Sequence, residues 1–141
     1  MVILLMILLH IIDDFVLQPV CLSKLKQKSW WEKNVYPDMD EKARELYKND
    51  YKVALFVHSV SWSIMVMLPF ICMEFLSFLK IGIHNDMHEG LILAAVIINA
   101  FIHYYVDDIK ANKGTINLSF DQYIHFSQVI ITGCIMSAIY F

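Results

Sequence analysis

Six ionisable side chains of this sequence form three pairs in which a histidine and an aspartate are separated by four residues. The pairs are His10 with Asp14, His103 with Asp107, and Asp121 with His125. On an α-helix a separation of four residues turns the side chain by about 40°, so both members of a pair point from one face. Imidazole and carboxylate groups without a thiolate are ligands that zinc, manganese and iron accept. The spacing therefore indicates a divalent metal site.

Long apolar segments must position these pairs. The chain of 141 residues is 58% hydrophobic, its mean hydropathy is +0.54, and its apolar residues form four runs. Each run has about 17–21 residues, the length that crosses roughly 30 Å of hydrocarbon. We therefore predict an all-α fold, a bundle of four transmembrane helices forming a single integral membrane domain over residues 1–141. The predicted spans are about 1–20, 53–78, 90–108 and 121–141.

The lysine and arginine residues predict how the spans are oriented. All eleven lie between spans or at their ends, with eight in the first connection, one in the second and two in the third. Cytoplasmic connections carry an excess of positive charge, so the first and third are predicted to be cytoplasmic and both termini external. Within the first connection we predict a short amphipathic helix over residues 41–49, capped by Asp38 or Asp40.

This orientation brings the ionisable side chains to one level of the membrane. His58 in the second span adds a fourth imidazole. With a rise of 1.5 Å per residue, all seven groups lie roughly 2 to 12 Å inside the cytoplasmic ends of their spans. Ionisable groups at this depth are costly and are usually retained for function. We predict that they bind one or two divalent ions, with zinc preferred over manganese or iron, through His10, Asp14, His58, His103, Asp107, Asp121 and His125.

Other interpretations of these polar residues remain open. The seven groups could instead form an interhelical hydrogen-bond network that holds the bundle together, or a proton relay. Gln18 lies four residues beyond Asp14 and could bind substrate, orient a ligand or simply sit at the interface. His84 and His88 fall in the second connection, on the opposite side of the membrane, and are predicted to be solvated loop residues.

The leading functional hypothesis is a membrane-embedded metal-dependent hydrolase, although the sequence leaves open whether the protein is an enzyme. Asp121 or Asp107 would act as general base, and Lys110 would neutralise an anionic group. The predicted substrate is a lipid or lipid-linked phosphate that enters from the cytoplasmic leaflet. The alternatives are a metal-ion or proton-coupled transporter, and a non-catalytic membrane interaction protein of phage and host with a structural metal.

The expected partner is the lipid bilayer, and assembly as a homo-oligomer is left open. The net charge of −3 is not informative about nucleic acid. A nucleic acid is not expected, because no basic patch is interleaved with aromatic residues that could stack on bases.

Together the motifs resemble those of a domain-of-unknown-function family. They are His10-x3-Asp14-Phe15-x2-Gln18 with a lysine at 24 or 26, His58, His103-x3-Asp107-x2-Lys110, and Asp121-Gln122-x2-His125. Members of that family are small multi-spanning membrane proteins of bacteria and their phages, so the resemblance implies a bacterial cytoplasmic membrane. The set of histidine and aspartate ligands is also broadly similar to that of membrane-bound metal-dependent hydrolases, and this similarity is only an analogy. The resemblance supports the site and not a particular reaction.

Overall fold

The computed structural model describes residues 1–18, 20–81 and 86–141. These residues are almost entirely helical and contain no β-strand. The α-helices are α1 (Val2–Ile12), α2 (Val20–Leu25), α3 (Lys28–Asn34), α4 (Glu41–Tyr47), α5 (Asp50–Ile81), α6 (Asp86–Asp108) and α7 (Leu118–Tyr140). A turn of π-helix follows α1 at Asp13–Leu17, another follows α6 at Ile109–Lys113, and a 3₁₀ turn lies at Tyr36–Asp38. The all-α prediction is confirmed.

Three helical stretches within the described chain are long and apolar enough to cross a membrane. They are Glu41–Lys80, Asp86–Lys113 and Leu118–Tyr140. Most of the residues in each stretch are not buried inside the protein, and large apolar side chains such as Phe75, Ile97 and Phe101 are exposed on their outer faces. Apolar surface of this extent suits contact with lipid rather than with water. The structure therefore has the features of a membrane protein.

The first apolar run forms a shorter helix than the sequence predicts. α1 contains 11 residues and the π turn adds five, so this helix ends at Leu17 and is not among the three membrane-crossing stretches. α1 still packs against α5 and α7. A Cβ atom added to Gly133 of α7 would lie 2.8 Å from Cγ1 of Ile3, so the two helices approach each other where a larger residue would clash.

The buried residues of the bundle are divided along its length. The apolar core packs α1, α5, α6 and α7 together through Met6, Trp62, Val66, Met67, Phe70, Ile92, Val129 and Met136. The apolar core lies toward one end of the bundle and the ionisable residues lie toward the other. Along the chain, the core residues therefore precede His10 in α1 and follow His58 in α5. The ionisable residues are thus gathered toward the end of the bundle that adjoins the first and third connections.

The first connection contains more structure than the sequence predicts. The predicted helix forms as α4, and the side chain of Asp40 caps it by accepting a hydrogen bond of 2.7 Å from the backbone N–H of Ala43. α2 and α3 were not predicted. Helices of six and seven residues make fewer than two turns, which is too short for a repeating apolar stripe to reveal them.

The prediction for the histidines of the second connection needs correction at His88, whereas His84 lies outside the described residues. α6 begins at Asp86, earlier than the predicted boundary near residue 90, so His88 belongs to a helix and not to a solvated loop. Its side chain is 21% exposed, its Nδ1 lies 2.7 Å from Oε1 of Glu74, and its ring centroid lies 4.4 Å from that of Tyr140.

Candidate metal site

The seven ionisable side chains that the sequence singles out come together where α1, α5, α6 and α7 meet. Six are buried, and the side chain of the seventh, Asp14, is 11% exposed. We call them the His/Asp cluster: His10 and Asp14 from the first helix and its π turn, His58 from α5, His103 and Asp107 from α6, and Asp121 and His125 from α7.

Asp107 lies at the centre of the His/Asp cluster. Its Oδ1 is 3.3 Å from Nε2 of His125 and 3.8 Å from Nε2 of His103. Its Oδ2 is 3.4 Å from Nε2 of His58. The Nε2 atoms of His58 and His103 are themselves 3.1 Å apart. Four side chains from three helices therefore direct a ring nitrogen or a carboxylate oxygen toward one small volume.

These distances fit the ligand shell of a divalent metal. A tetrahedral zinc ion with ligands at about 2.0–2.1 Å holds those ligand atoms about 3.4 Å from one another. Two groups of three side chains have ligand atoms close enough to share an ion, namely Asp14, His58 and His103, and His103, Asp107 and His125. Because His103 belongs to both groups, they are adjoining parts of a single site.

Two buried carboxylate oxygens support the same interpretation. Oδ1 of Asp14 and Oδ1 of Asp121 accept no hydrogen bond. Each lies near a ring nitrogen, 3.5 Å from Nε2 of His58 and 3.4 Å from Nε2 of His125, respectively. Leaving a buried carboxylate oxygen without a partner is unfavourable, and a cation would satisfy both atoms. The residues therefore fit a divalent metal in donor type and in placement.

His10, which the spacing predicts as a metal ligand, is held by protein neighbours on both ring nitrogens. Nε1 of Trp62 donates a hydrogen bond of 2.7 Å to Nδ1, and Nε2 lies 3.1 Å from Oε1 of Gln122. Since Nδ1 accepts, Nε2 of the neutral ring carries the proton and donates to Gln122. His10 lies in the wall of the site and belongs to neither group of three.

Two further residues of the site, Trp62 and Gln122, were assigned no role by the sequence analysis. Trp62 stacks on His103, with ring centroids 4.1 Å apart and planes inclined by 16°. Its position four residues after His58, on the same helix face, is the signal that could have found it. Gln122 connects three members of the cluster, since Nε2 donates to Oδ2 of Asp14 at 3.3 Å and of Asp121 at 3.2 Å while Oε1 accepts from His10.

Both π turns adjoin the site. The first, Asp13–Leu17, contains Asp14, and the second, Ile109–Lys113, contains Lys110. A π turn inserts an extra residue into a helix, which changes the direction of the following side chains, and such turns are frequent at functional sites. No residue type marks a π turn, so the sequence did not predict them.

Two lysines border the cluster on the side of the first and third connections. Nζ of Lys26 donates a hydrogen bond of 2.6 Å to Oδ2 of Asp107, and Nζ of Lys110 donates one of 2.6 Å to Oδ2 of Asp121. Beside them lies a cavity of about 370 Å³, lined in part by Gln18, Lys26, Asp107 and Lys110. We call it the lysine cavity. Asp107 contributes to both the cluster and this cavity, so the cavity adjoins the cluster at this carboxylate.

Comparisons of the chain with protein-family models, curated proteins and solved structures find no match. The resemblance to a domain-of-unknown-function family therefore stays a prediction. What this chain does must be inferred from the site itself.

Proposed function

We propose that this chain is a membrane-embedded metal-dependent hydrolase acting on a lipid or lipid-linked phosphorylated substrate. The observation that carries the proposal is the buried His/Asp cluster that adjoins the lysine cavity through Asp107. A structural metal site is closed by protein ligands, whereas a catalytic site keeps a position for water or substrate. A cavity with basic side chains next to the candidate ligands favours the catalytic kind.

The side chains divide into groups that would hold the metal and groups that would act beside it. His58, His103, Asp107 and His125 would hold a divalent ion, with zinc the first choice, and Asp14 lies next to them. When bound, such an ion activates water and polarises the oxygen of the scissile bond.

Asp121 suits the role of general base. It is fully buried and lies outside both groups of three, with Oδ1 free to accept a proton. Lys110 holds the other oxygen of Asp121 and brings positive charge to the cavity.

The apolar core favours a hydrolase over a transporter. A transporter needs polar groups along the whole path through the membrane. Next to the cluster on the side away from the lysine cavity, the buried residues of α5 include Val66, Met67 and Phe70. The buried polar residues Asn99 and Gln128 bond to each other, with Nε2 of Gln128 donating to Oδ1 of Asn99 at 2.8 Å.

We further propose that all four apolar runs span a bacterial cytoplasmic membrane, with the first and third connections in the cytoplasm and both termini outside. A cysteine at Lys42→Cys should then react with a membrane-impermeant reagent only after the cells are opened, and one at Asp86→Cys should react in intact cells. Both positions are exposed, and the native Cys21, Cys72 and Cys134 would first be replaced by serine. Labelling of Lys42→Cys from outside intact cells would contradict the orientation.

Metal removal tests the hydrolase proposal directly. Protein purified into phosphatidylcholine nanodiscs is expected to contain near-stoichiometric zinc, manganese or iron and to hydrolyse a lipid phosphate such as phosphatidic acid. Chelation should abolish turnover and metal replacement should restore it, because the ion activates the attacking water. Full turnover after complete metal removal would refute the proposal. A metal-loaded protein that turns over none of a panel of lipid phosphates would favour the interaction protein with a structural metal.

A further inference from the structure

We propose that the lysine cavity binds the phosphate group of a ligand, and that metal binding strengthens phosphate binding by freeing Lys26 from Asp107. The inference rests on the proposed function. It adds a specific phosphate site, and it couples the affinity for phosphate to the affinity for the metal ion.

The two lysines reach the same cavity from different parts of the chain. Lys26 follows α2 in the first connection and is 13% exposed, and Lys110 lies in the π turn after α6 and is 32% exposed. Each ammonium group has three N–H donors, and each forms one hydrogen bond to a carboxylate. The remaining ammonium donors lie at the cavity, which Gln18 also lines. Nε2 of Gln18 lies 3.3 Å from Nδ1 of His58 and carries a second N–H group. Several cationic and amide donors around one small volume are complementary to a phosphate group.

The position of Lys26 is fixed by Asn112. Oδ1 of Asn112 accepts a hydrogen bond of 2.7 Å from the backbone N–H of Lys28, and Nδ2 donates one of 3.2 Å to the carbonyl oxygen of Lys26. Nδ2 also donates to Oδ1 of Asp108 at 2.8 Å. This clip joins the first connection to the end of α6, so Lys26 and Lys110 are held at one cavity without relying on phosphate to bring them together.

A divalent cation and Lys26 would use the same carboxylate. Asp107 belongs to a candidate metal group and also accepts a hydrogen bond from Lys26. A cation held by Asp107 takes carboxylate charge from Lys26, and an ammonium group that loses its partner gains by pairing with another anion.

Net charge predicts the same coupling. A divalent cation held by Asp107 adds positive charge beside the cavity, and this charge attracts a phosphate group. Metal binding should therefore raise phosphate affinity. Binding free energies are reciprocal, so phosphate should raise metal affinity by the same factor.

The test titrates inorganic phosphate into the full chain in phosphatidylcholine nanodiscs, with metal and with chelator. Phosphate is expected to bind at least about tenfold more tightly when the metal is bound, and Lys26→Gln and Lys110→Gln should each lose about tenfold, the effect of one charged hydrogen bond. Lys24→Gln is the matched control, because Lys24 is exposed in α2, two residues before Lys26, and does not line the cavity. This control should bind phosphate as tightly as the unmodified chain.

Competition identifies the source of the phosphate. Displacement of inorganic phosphate by phosphatidic acid in the nanodisc would support the site and assign it to a lipid headgroup, and displacement by glycerol 3-phosphate alone would support it with a soluble ligand. Metal-loaded protein that binds no phosphate, or binds it equally well in both lysine variants, would overturn the inference and leave the metal site intact. Absence of metal from the purified protein would instead refute the proposed function.

Discussion

His103→Ala is expected to lose its metal, with affinity lowered by more than about 100-fold. Removing a residue that merely orients a metal ligand costs about 10–100-fold in affinity, so loss of a ligand shared by both groups of three should cost more. The measurement is elemental analysis of protein in nanodiscs after dialysis against a buffered metal concentration.

His88→Ala is the matched control for this variant. His88 contacts Glu74 at the other end of the bundle and is not part of the His/Asp cluster, so its removal should leave the metal content unchanged. Since His103 stacks on Trp62, His103→Gln would be compared as well, because it retains a polar side chain beneath the indole. Equal metal content in all three variants would mean that the metal binds elsewhere or not at all.

Asp121→Asn is expected to stay folded and metal-loaded while turnover falls by about 10²–10⁴-fold, the usual contribution of a general base. The substitution keeps the shape and one oxygen but removes the basic carboxylate. Asp121 is in neither group of three, so metal should remain bound. Turnover and metal content would be measured on the same preparation. Asp38→Asn, an exposed aspartate away from the cluster, controls for the general effect of losing a carboxylate.

Comparing turnover with metal content in Asp121→Asn decides whether Asp121 is the general base or a metal ligand. Metal lost in proportion to turnover would make Asp121 a ligand, which is the other role that the sequence suggested for it. Full turnover with full metal would exclude it as the base. In that case Asp14, whose Oδ1 also accepts no hydrogen bond, becomes the next carboxylate to replace.

The placement of the cluster was accessible from sequence because a straight helix fixes both the angle and the depth of every side chain. A spacing of four residues put His103 and Asp107 on one face, and a constant rise put them level with His58. The same regularity predicted most of the length of α5, α6 and α7. It did not predict the start of α6, because the helix begins four residues before the apolar run, in a polar first turn that acidic residues such as Asp86 stabilise.

The remaining parts of the site depend on tertiary structure that no local pattern records. Lys26 reaches Asp107 only because α2 and α3 fold back over the bundle and Asn112 holds the intervening residues. Trp62 and Gln122 take part in the site through contacts with other helices, so neither stands out before its neighbours are known. The two π turns likewise follow from packing, because their residues would equally well form an α-helix.

The lysine–aspartate pairs also bear on how the protein is made. A buried carboxylate without a counter-charge is unfavourable, so the three carboxylates of the cluster would oppose packing of the helices if they were unpaired. Lys26 and Lys110 supply two of those counter-charges from within the polypeptide. With these pairs in place, the helices could pack before any ion binds. Under the proposed function, metal binding would then follow folding and would depend on the ion supply of the compartment that faces the lysine cavity.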